Sequence, residues 1–499
     1  MIAATPPDPG NHGRPQLERS LGPIMALCVI VGSVIGSGIF LVPARVAQQL
    51  PAIGPILIAW IIGGLFSLAG ALTLAELAAR LPHAGGAYVY LREAYGPLPA
   101  FLFGWTEFLI VRSGSMATLA AAFAIYAVQL VEWPAGWNPI LLEAGLAVLA
   151  IGLVGLINAM GTRWGGSLQV LGTLLKVGAL LAMIVLPFWL HKAQPALLTP
   201  VWKPRTGSIQ FLAFMQAMVS VLWAYDGWVV SASLAEEIRQ PERNIPRTLI
   251  AGVFLLIFLY MSMTLVYHLV LPMEEIAAAS TERGSPRAVS ADFFRTLLGA
   301  QGQVAICLIV MTSTLIALNG NVLSGTRVYF AMARDGVFPA SLAHISSGRG
   351  TPARAIAVQT AWAIVLVIAA SLFILVPPPA VGSVPPWIQT TWAALHDTPL
   401  YDFLYNYVIF GATVFYLLSI LSVFRLRKVQ PASAGVYQTW GYPVTPIVFA
   451  LGSLVLLASM LVQTPLQSFA GLAIVLLGMP AYRIFRSRSD SASRRVFHA

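Results

Sequence analysis

Gly32-Ser33-Val34-Ile35-Gly36-Ser37-Gly38-Ile39-Phe40 lies in the first long apolar segment and places three glycines within seven residues. Glycine disfavours a helix interior by about 1 kcal/mol relative to alanine, so the stretch predicts an interrupted helix at mid-membrane. Trp223-Ala224-Tyr225-Asp226-Gly227-Trp228 predicts a second interruption, because a carboxylate and a glycine fall inside the sixth apolar segment. Unwound backbone at that depth strands N–H and C=O groups and is tolerated only against protein or a polar cavity. The breaks fall in spans one and six. A repeat of five helices is odd, so its second copy enters the membrane upside down, as in secondary transporters that bind between broken helices. Two blander readings compete. Gly32 and Gly36 fit close helix packing, and Asp226 fits an N-cap of the half-helix after Gly227.

The composition agrees with a membrane protein. The 499 residues are 58% hydrophobic and 10% charged, whereas soluble domains carry about a quarter charged residues. A soluble enzyme is excluded. Apolar segments at 22–48, 53–79, 97–131, 140–159, 166–190, 208–235, 246–271, 298–332, 354–376, 400–424, 444–463 and 466–485 are each long enough to cross a bilayer, which needs about 20 residues. The expected fold is an all-α polytopic membrane protein of about twelve transmembrane helices. The proline-rich residues 1–20 lack the basic start and short apolar core of a signal peptide and are read as a tail. Residues 21–190 form the expected first five-helix repeat, 207–426 the inverted second, 444–485 the last two helices, and 486–499 a C-terminal tail. Cys28 and Cys307 both sit in apolar runs, so no disulfide framework or zinc spacing exists and no metal or other cofactor is expected.

The formal charge is +10. Of the Lys and Arg residues, Arg45, Lys192, Lys203, Arg205, Arg283, Arg287 and Arg295 fall on one side, Arg112 and Lys176 fall within spans, and the rest fall on the other side. That asymmetry places both termini in the cytoplasm by the positive-inside rule and accounts for the surplus charge without nucleic acid. The expected location is the cell membrane. A homodimer and an accessory subunit are both left open.

Several separated motifs carry a family resemblance. The glycine stretch at 32–40 resembles the first-helix signature of the amino acid–polyamine–organocation superfamily. Ala224-Tyr225-Asp226-Gly227-Trp228, followed by Glu236-Glu237-Ile238-Arg239-Gln240-Pro241, resembles its sixth helix and following loop. Gly85-Gly86-Ala87-Tyr88-Val89-Tyr90 and Arg327-Val328-Tyr329-Phe330-Ala331-Met332-Ala333-Arg334-Asp335-Gly336 are similar to its second connection and eighth-helix exit. The likeness is strongest to the L-type amino-acid transporter branch and bacterial serine/threonine exchangers. It implies a 5+5 inverted-repeat (LeuT-like) fold with broken helices one and six, and a free amino acid as substrate. It also implies a substrate site of Val34, Ile35, Gly36, Ser37, Gly38, Trp223, Ala224, Tyr225, Asp226 and Gly227. Within that site the Ser37 and Gly38 amides would hold the carboxylate, and the Val34, Trp223 and Asp226 carbonyls the ammonium. Trp223 would be the gating aromatic. Lys176 would bridge helices one and eight where sodium-dependent relatives hold the ion.

The charged residues inside spans are few. Lys176 interrupts an apolar run from Leu168 to Leu186, a depth at which a cation requires a partner. Glu107 and Arg112 are five apart, about 140° on a 3.6-residue helix, which predicts that they do not pair. Both are candidates for the translocation path, as are Asn319 and Asn321, although polar helix glue explains the asparagines equally well. Glu76, Glu236 and Glu237 are expected to cap helices or pair with basic loops, with an inner gate as the alternative.

The expected function is secondary transport of neutral L-amino acids by alternating access, sodium-independent and by exchange. The competing coupling is proton-driven uptake of amino acids or polyamines. A membrane-embedded enzyme or a channel is the reading from another class. Neither suits a chain with scattered histidines and no repeated pore loop.

Overall fold

The computed structural model describes residues 17, 19–131, 133, 136–202, 207–279, 289–346, 350–377, 379, 383–385, 389, 392, 400–431 and 435–497. The N-terminal tail other than residues 17, 19 and 20 lies outside them, as do Lys203, Arg205, Arg283 and Arg287. Among the described residues the chain is all helix, without a strand; one isolated bridge joins Leu21 to Ile238.

Span one is broken into α1 (Pro23–Val34) and α2 (Gly38–Gln49). Span two is α3 (Ile53–Arg80), followed by the short α4 (Ala87–Tyr95). Span three joins α5 (Pro97–Thr106) to α6 (Arg112–Val128) through a π-turn at Glu107–Val111. Spans four and five are α7 (Pro139–Met160) and α8 (Thr162–Trp189). Span six is α9 (Gly207–Tyr225), an unwound stretch at 226–229, and α10 (Val230–Ser233). Span seven is α11 (Pro241–Val270), and α12 (Met273–Ala278) and α13 (Val289–Leu298) lead to span eight, α14 (Ala300–Arg334). α15 (Ala353–Leu375), α16 (Leu400–Val429), α17 (Val444–Gln463) and α18 (Pro465–Phe497) complete the bundle. Eleven of these segments are long and apolar enough to cross a bilayer, and the broken sixth adds the shorter apolar helix Phe211–Tyr225. The expected spans are all present.

Several boundaries differ from expectation: α8 starts at Thr162 and not at 166, α16 runs to Val429 and not to 424, and two more shifts have a cause in the sequence. α11 starts several residues before 246, because Pro241 occupies the first helical turn, where its missing N–H would be unpaired anyway. α18 continues past 485 into the expected tail, since no glycine or proline interrupts the chain after Pro480. The tight turn at Gln463-Thr464-Pro465 stands, with the Thr464 N–H returning to the Met460 carbonyl at 2.8 Å.

The two breaks pack against each other through their glycines. A Cβ on Gly38 would lie 2.6 Å from the Ala224 Cα, and one on Gly227 would lie 3.2 Å from the Ser33 carbonyl group. Gly227 also has φ +114°, a conformation that L side chains rarely adopt. Gly32 serves a different contact. Its absent Cβ admits Thr173 and Gln169 of span five, so the close-packing reading is correct for this glycine.

Candidate functional site

A helix that ends in the membrane leaves its last carbonyls and its successor's first amides without intrahelical partners. At the first break the carbonyls are nearly all accounted for. The Lys176 ammonium, buried in span five, donates to the Gly32 carbonyl at 2.7 Å and the Ile35 carbonyl at 2.5 Å. Ser313 of span eight donates to the carbonyls of Ile35 (3.2 Å) and Gly36 (3.1 Å). The Tyr260 hydroxyl donates to the Val34 carbonyl at 3.1 Å. Lys176 and span eight therefore meet on the Ile35 carbonyl, and Ser313 makes the link to span eight. The amides of Ser37 and Gly38 stand at the N-terminal end of α2, where a helix presents donors and positive dipole.

A cavity lies between the breaks. Span one lines it with Ser33, Val34, Gly36, Ser37 and Gly38, span six with Trp223, Asp226 and Gly227, span three with Ser115 and Leu119, and span eight with Asn321. Three of the expected site residues face elsewhere. Ile35 presents its carbonyl to Lys176, Ala224 packs on Gly38, and the Tyr225 hydroxyl donates to the Trp60 carbonyl at 3.2 Å. Trp223 is pinned by a residue the sequence did not single out. Its indole N–H donates to the Tyr401 hydroxyl at 2.7 Å, and that hydroxyl also meets Ser37 Oγ at 3.0 Å. The Arg45 guanidinium sits over the Tyr401 ring, 5.2 Å from its centroid. Tyr401 opens an ordinary apolar segment, and nothing in its local sequence marks it.

Two expectations are corrected. Glu107 and Arg112 do pair, with Arg112 Nε donating to Glu107 Oε2 at 2.6 Å and both side chains buried. Residues five apart diverge on an α-helix, but a π-turn closes its backbone bonds over five residues, and here the Arg112 N–H donates to the Glu107 carbonyl. Residues 107 and 112 are thereby stacked on one face. For Asp226 the capping reading holds only in part: α10 begins at Val230, behind Val229, while the Asp226 carboxylate accepts the Gly227 N–H and the Tyr416 hydroxyl, the latter at 2.8 Å.

The asparagines separate. Asn321 lines the cavity, accepts from Arg112 at 3.2 Å and donates to the Ala317 carbonyl at 3.0 Å. Asn319 instead joins spans four, five and eight, through Asn158 at 2.7 Å and Gln169 at 2.7 Å, and is helix glue. At the end of the bundle where span one begins, Glu237 takes a bidentate bond from the buried Arg327, at 2.7 and 3.0 Å. Glu236 accepts from Arg334 and from the Leu17 and Ala84 amides. Glu76 accepts from Arg80, Arg427 and Thr439. The acidic residues pair with basic ones, but Arg80, Arg327, Arg334 and Arg427 all belong to helices and not to loops.

Two broken helices enclosing a polar cavity inside a bundle of apolar spans are the architecture of a membrane carrier. The chain belongs to the amino acid permease family, whose pattern matches residues 21–479. It is a multi-pass membrane protein that transports amino acids and is not an enzyme. It is 30% identical to the serine/threonine exchanger SteT of Bacillus subtilis, over 95% of this chain and 98% of that protein. It is 28% identical to the mouse b(0,+)-type amino acid transporter 1, over 94% of this chain and 88% of that protein. It is also 28% identical to the human large neutral amino acids transporter small subunit 2, over 96% of this chain and 82% of that one.

Proposed function

We propose that this chain exchanges neutral L-amino acids across the cell membrane by alternating access, without sodium and with both termini in the cytoplasm. The observation that carries the reading is the Lys176 ammonium on the unwound carbonyls of Gly32 and Ile35. A fixed cation there satisfies groups that would otherwise attract a metal ion. The zwitterion is gripped by peptide groups: the carboxylate by the Ser37 and Gly38 amides, the ammonium by carbonyls at the ends of α1 and α9. Beside the cavity Arg112 is paired with Glu107, and the Asp226 carboxylate accepts a hydrogen bond from Tyr416. The exchange named for SteT supports the same coupling. The relatives' names span hydroxylated and large neutral substrates, so the side-chain class has to come from the cavity itself.

The test is counterflow into proteoliposomes preloaded with amino acid, with choline replacing sodium. Uptake should require internal substrate and be unchanged by the replacement. A strict sodium requirement rejects the reading, and uptake driven by an imposed pH gradient into empty vesicles establishes the proton-coupled alternative.

A further inference from the structure

We propose that a second cavity, behind the broken sixth span, binds a small organic ammonium ion with an apolar body, apart from the amino acid. This cavity lies among spans two, six, ten and eleven and meets the first at Asp226. The two spaces share that residue. Its carboxylate is turned to the second one, since it accepts from Tyr416, which lines the second cavity and not the first. Asp226 is the one charged side chain on this wall among the described residues. A carboxylate offers about four acceptor sites, and the Gly227 N–H and the Tyr416 hydroxyl take two. Arg112, whose charge acts on it, bonds to Glu107 and Asn321 instead. Within a membrane, a carboxylate in that condition calls for a cation.

Much of the remaining wall is aromatic. Phe66 stacks on Phe449 with ring centroids 4.4 Å apart, and Trp228 stands edge-on to Phe449 at 6.2 Å and tilts against Tyr416 at 5.7 Å. The four rings form a continuous strip that ends at the Asp226 carboxylate. Two glycines make room for it. A Cβ on Gly70 would lie 2.6 Å from the Phe449 ring and 2.7 Å from the Trp228 ring, and one on Gly452 would lie 2.7 Å from the Phe66 ring. The Thr413 and Ser453 hydroxyls donate to carbonyls of their own helices, both at 2.8 Å, so neither donates into the space. Aromatic faces attract a cation through their quadrupole, and Leu222, Ile409 and Leu456 add apolar lining. A carboxylate beside ring faces and hydrocarbon recognises an ammonium group on an apolar body. Once bound, such an amine ties the unwound stretch at 226–229 to spans ten and eleven and slows exchange.

The probe is benzylamine, with neutral benzyl alcohol of the same shape as control, added to counterflow by the full chain in proteoliposomes. Benzylamine should lower the maximal exchange rate and leave the amino-acid KM unchanged, at concentrations where benzyl alcohol has little effect. Phe449→Leu, in span eleven and away from the amino-acid cavity, should exchange at the parental rate and need about fivefold more amine, the loss of one desolvated cation–π contact. Equal inhibition by the alcohol overturns the proposal, and so does an unchanged amine response in Phe449→Leu. Inhibition that only raises KM overturns it too, by placing the amine on the amino-acid site. Binding is also read without transport, as a rise in the melting temperature of the purified chain with benzylamine over that with benzyl alcohol. A chain that exchanges no amino acid but shows that rise loses the exchange reading and keeps this site. A chain that shows no rise loses this site, whatever it exchanges.

Discussion

Single residues at this site act mainly on backbone groups. Removing the Lys176 ammonium leaves the buried Gly32 carbonyl without its donor, at about 1–3 kcal/mol for an unsatisfied group. The Ile35 carbonyl keeps Ser313. Lys176→Ala should therefore abolish most exchange while the purified protein still melts cooperatively; parental transport rates in that variant would remove the lysine from the mechanism. Gly38 and Gly36 make a sharper pair. A Cβ on Gly38 meets Ala224 backbone at 2.6 Å, whereas one on Gly36 meets the far end of the Leu119 side chain at 3.0 Å. Gly38→Ala should lower thermal stability in line with the roughly 1–3 kcal/mol of an overpacked core, and Gly36→Ala should lower it less. Equal melting temperatures for the two would mean that the breaks do not touch as described. Tyr401→Phe removes the hydroxyl shared by Trp223 and Ser37. It should slow turnover more than it raises KM, as should Trp223→Ala, and steady-state kinetics of both variants decides this.

At the scale of elements, the π-turn of span three sets the charge pattern. It stacks Glu107 on Arg112 and passes Arg112 on to Asn321 in span eight. Two more bonds fasten the turn: the Tyr329 hydroxyl to the Glu107 carbonyl at 3.2 Å and the Trp362 indole to the Leu109 carbonyl at 3.0 Å. Glu107→Ala leaves a buried guanidinium without its counter-ion, a loss of about 3–5 kcal/mol in stability. Neutralising both partners in Glu107→Ala/Arg112→Gln should recover part of that loss in thermal unfolding, and no recovery would show that the pair is not coupled. The sequence was most legible where backbone chemistry is written in residue type. Gly36, Gly38 and Gly227 mark the breaks, and an isolated lysine among leucines marks the need for a partner. It was least legible where geometry depends on a local change of helix. Nothing in Glu107-Phe108-Leu109-Ile110-Val111 signals a wider turn, and the 3.6-residue period sets the two charges on different faces. Tyr401 and Tyr416 were silent for another reason: their roles come from spans far away in the chain, and an aromatic in an apolar segment has no signature of its own.

Over the whole molecule, span one is fastened to the end of span six where it begins. Leu21 donates to the Glu237 carbonyl at 2.9 Å and accepts from Arg239 at 2.9 Å, while the Glu237 side chain holds Arg327. Span one thus carries a clasp below its break and Lys176 beside it, and Cys28 lies buried between them. Glu237→Gln loosens the clasp and should speed reaction of Cys28 with a water-soluble maleimide. Cys307, buried in span eight away from the clasp, should be unaffected and serves as the internal control. Unchanged labelling of Cys28 would show that the Glu237–Arg327 pair does not guard this end.

A side chain at Gly38 would meet the Ala224 main chain as well as its methyl, at 2.6 Å from the Cα and 2.7 Å from the Cβ. Replacing Ala224 by glycine would strip the methyl but leave the Cα, so the obvious compensating substitution relieves only part of the clash. The reciprocal seat of Gly227 on Ser33 has the same character. The halves of the carrier are joined at this crossing like the blades of scissors at their rivet. Drift in sequence can reshape the blades and retune what they hold, while the rivet itself admits no larger part on either side.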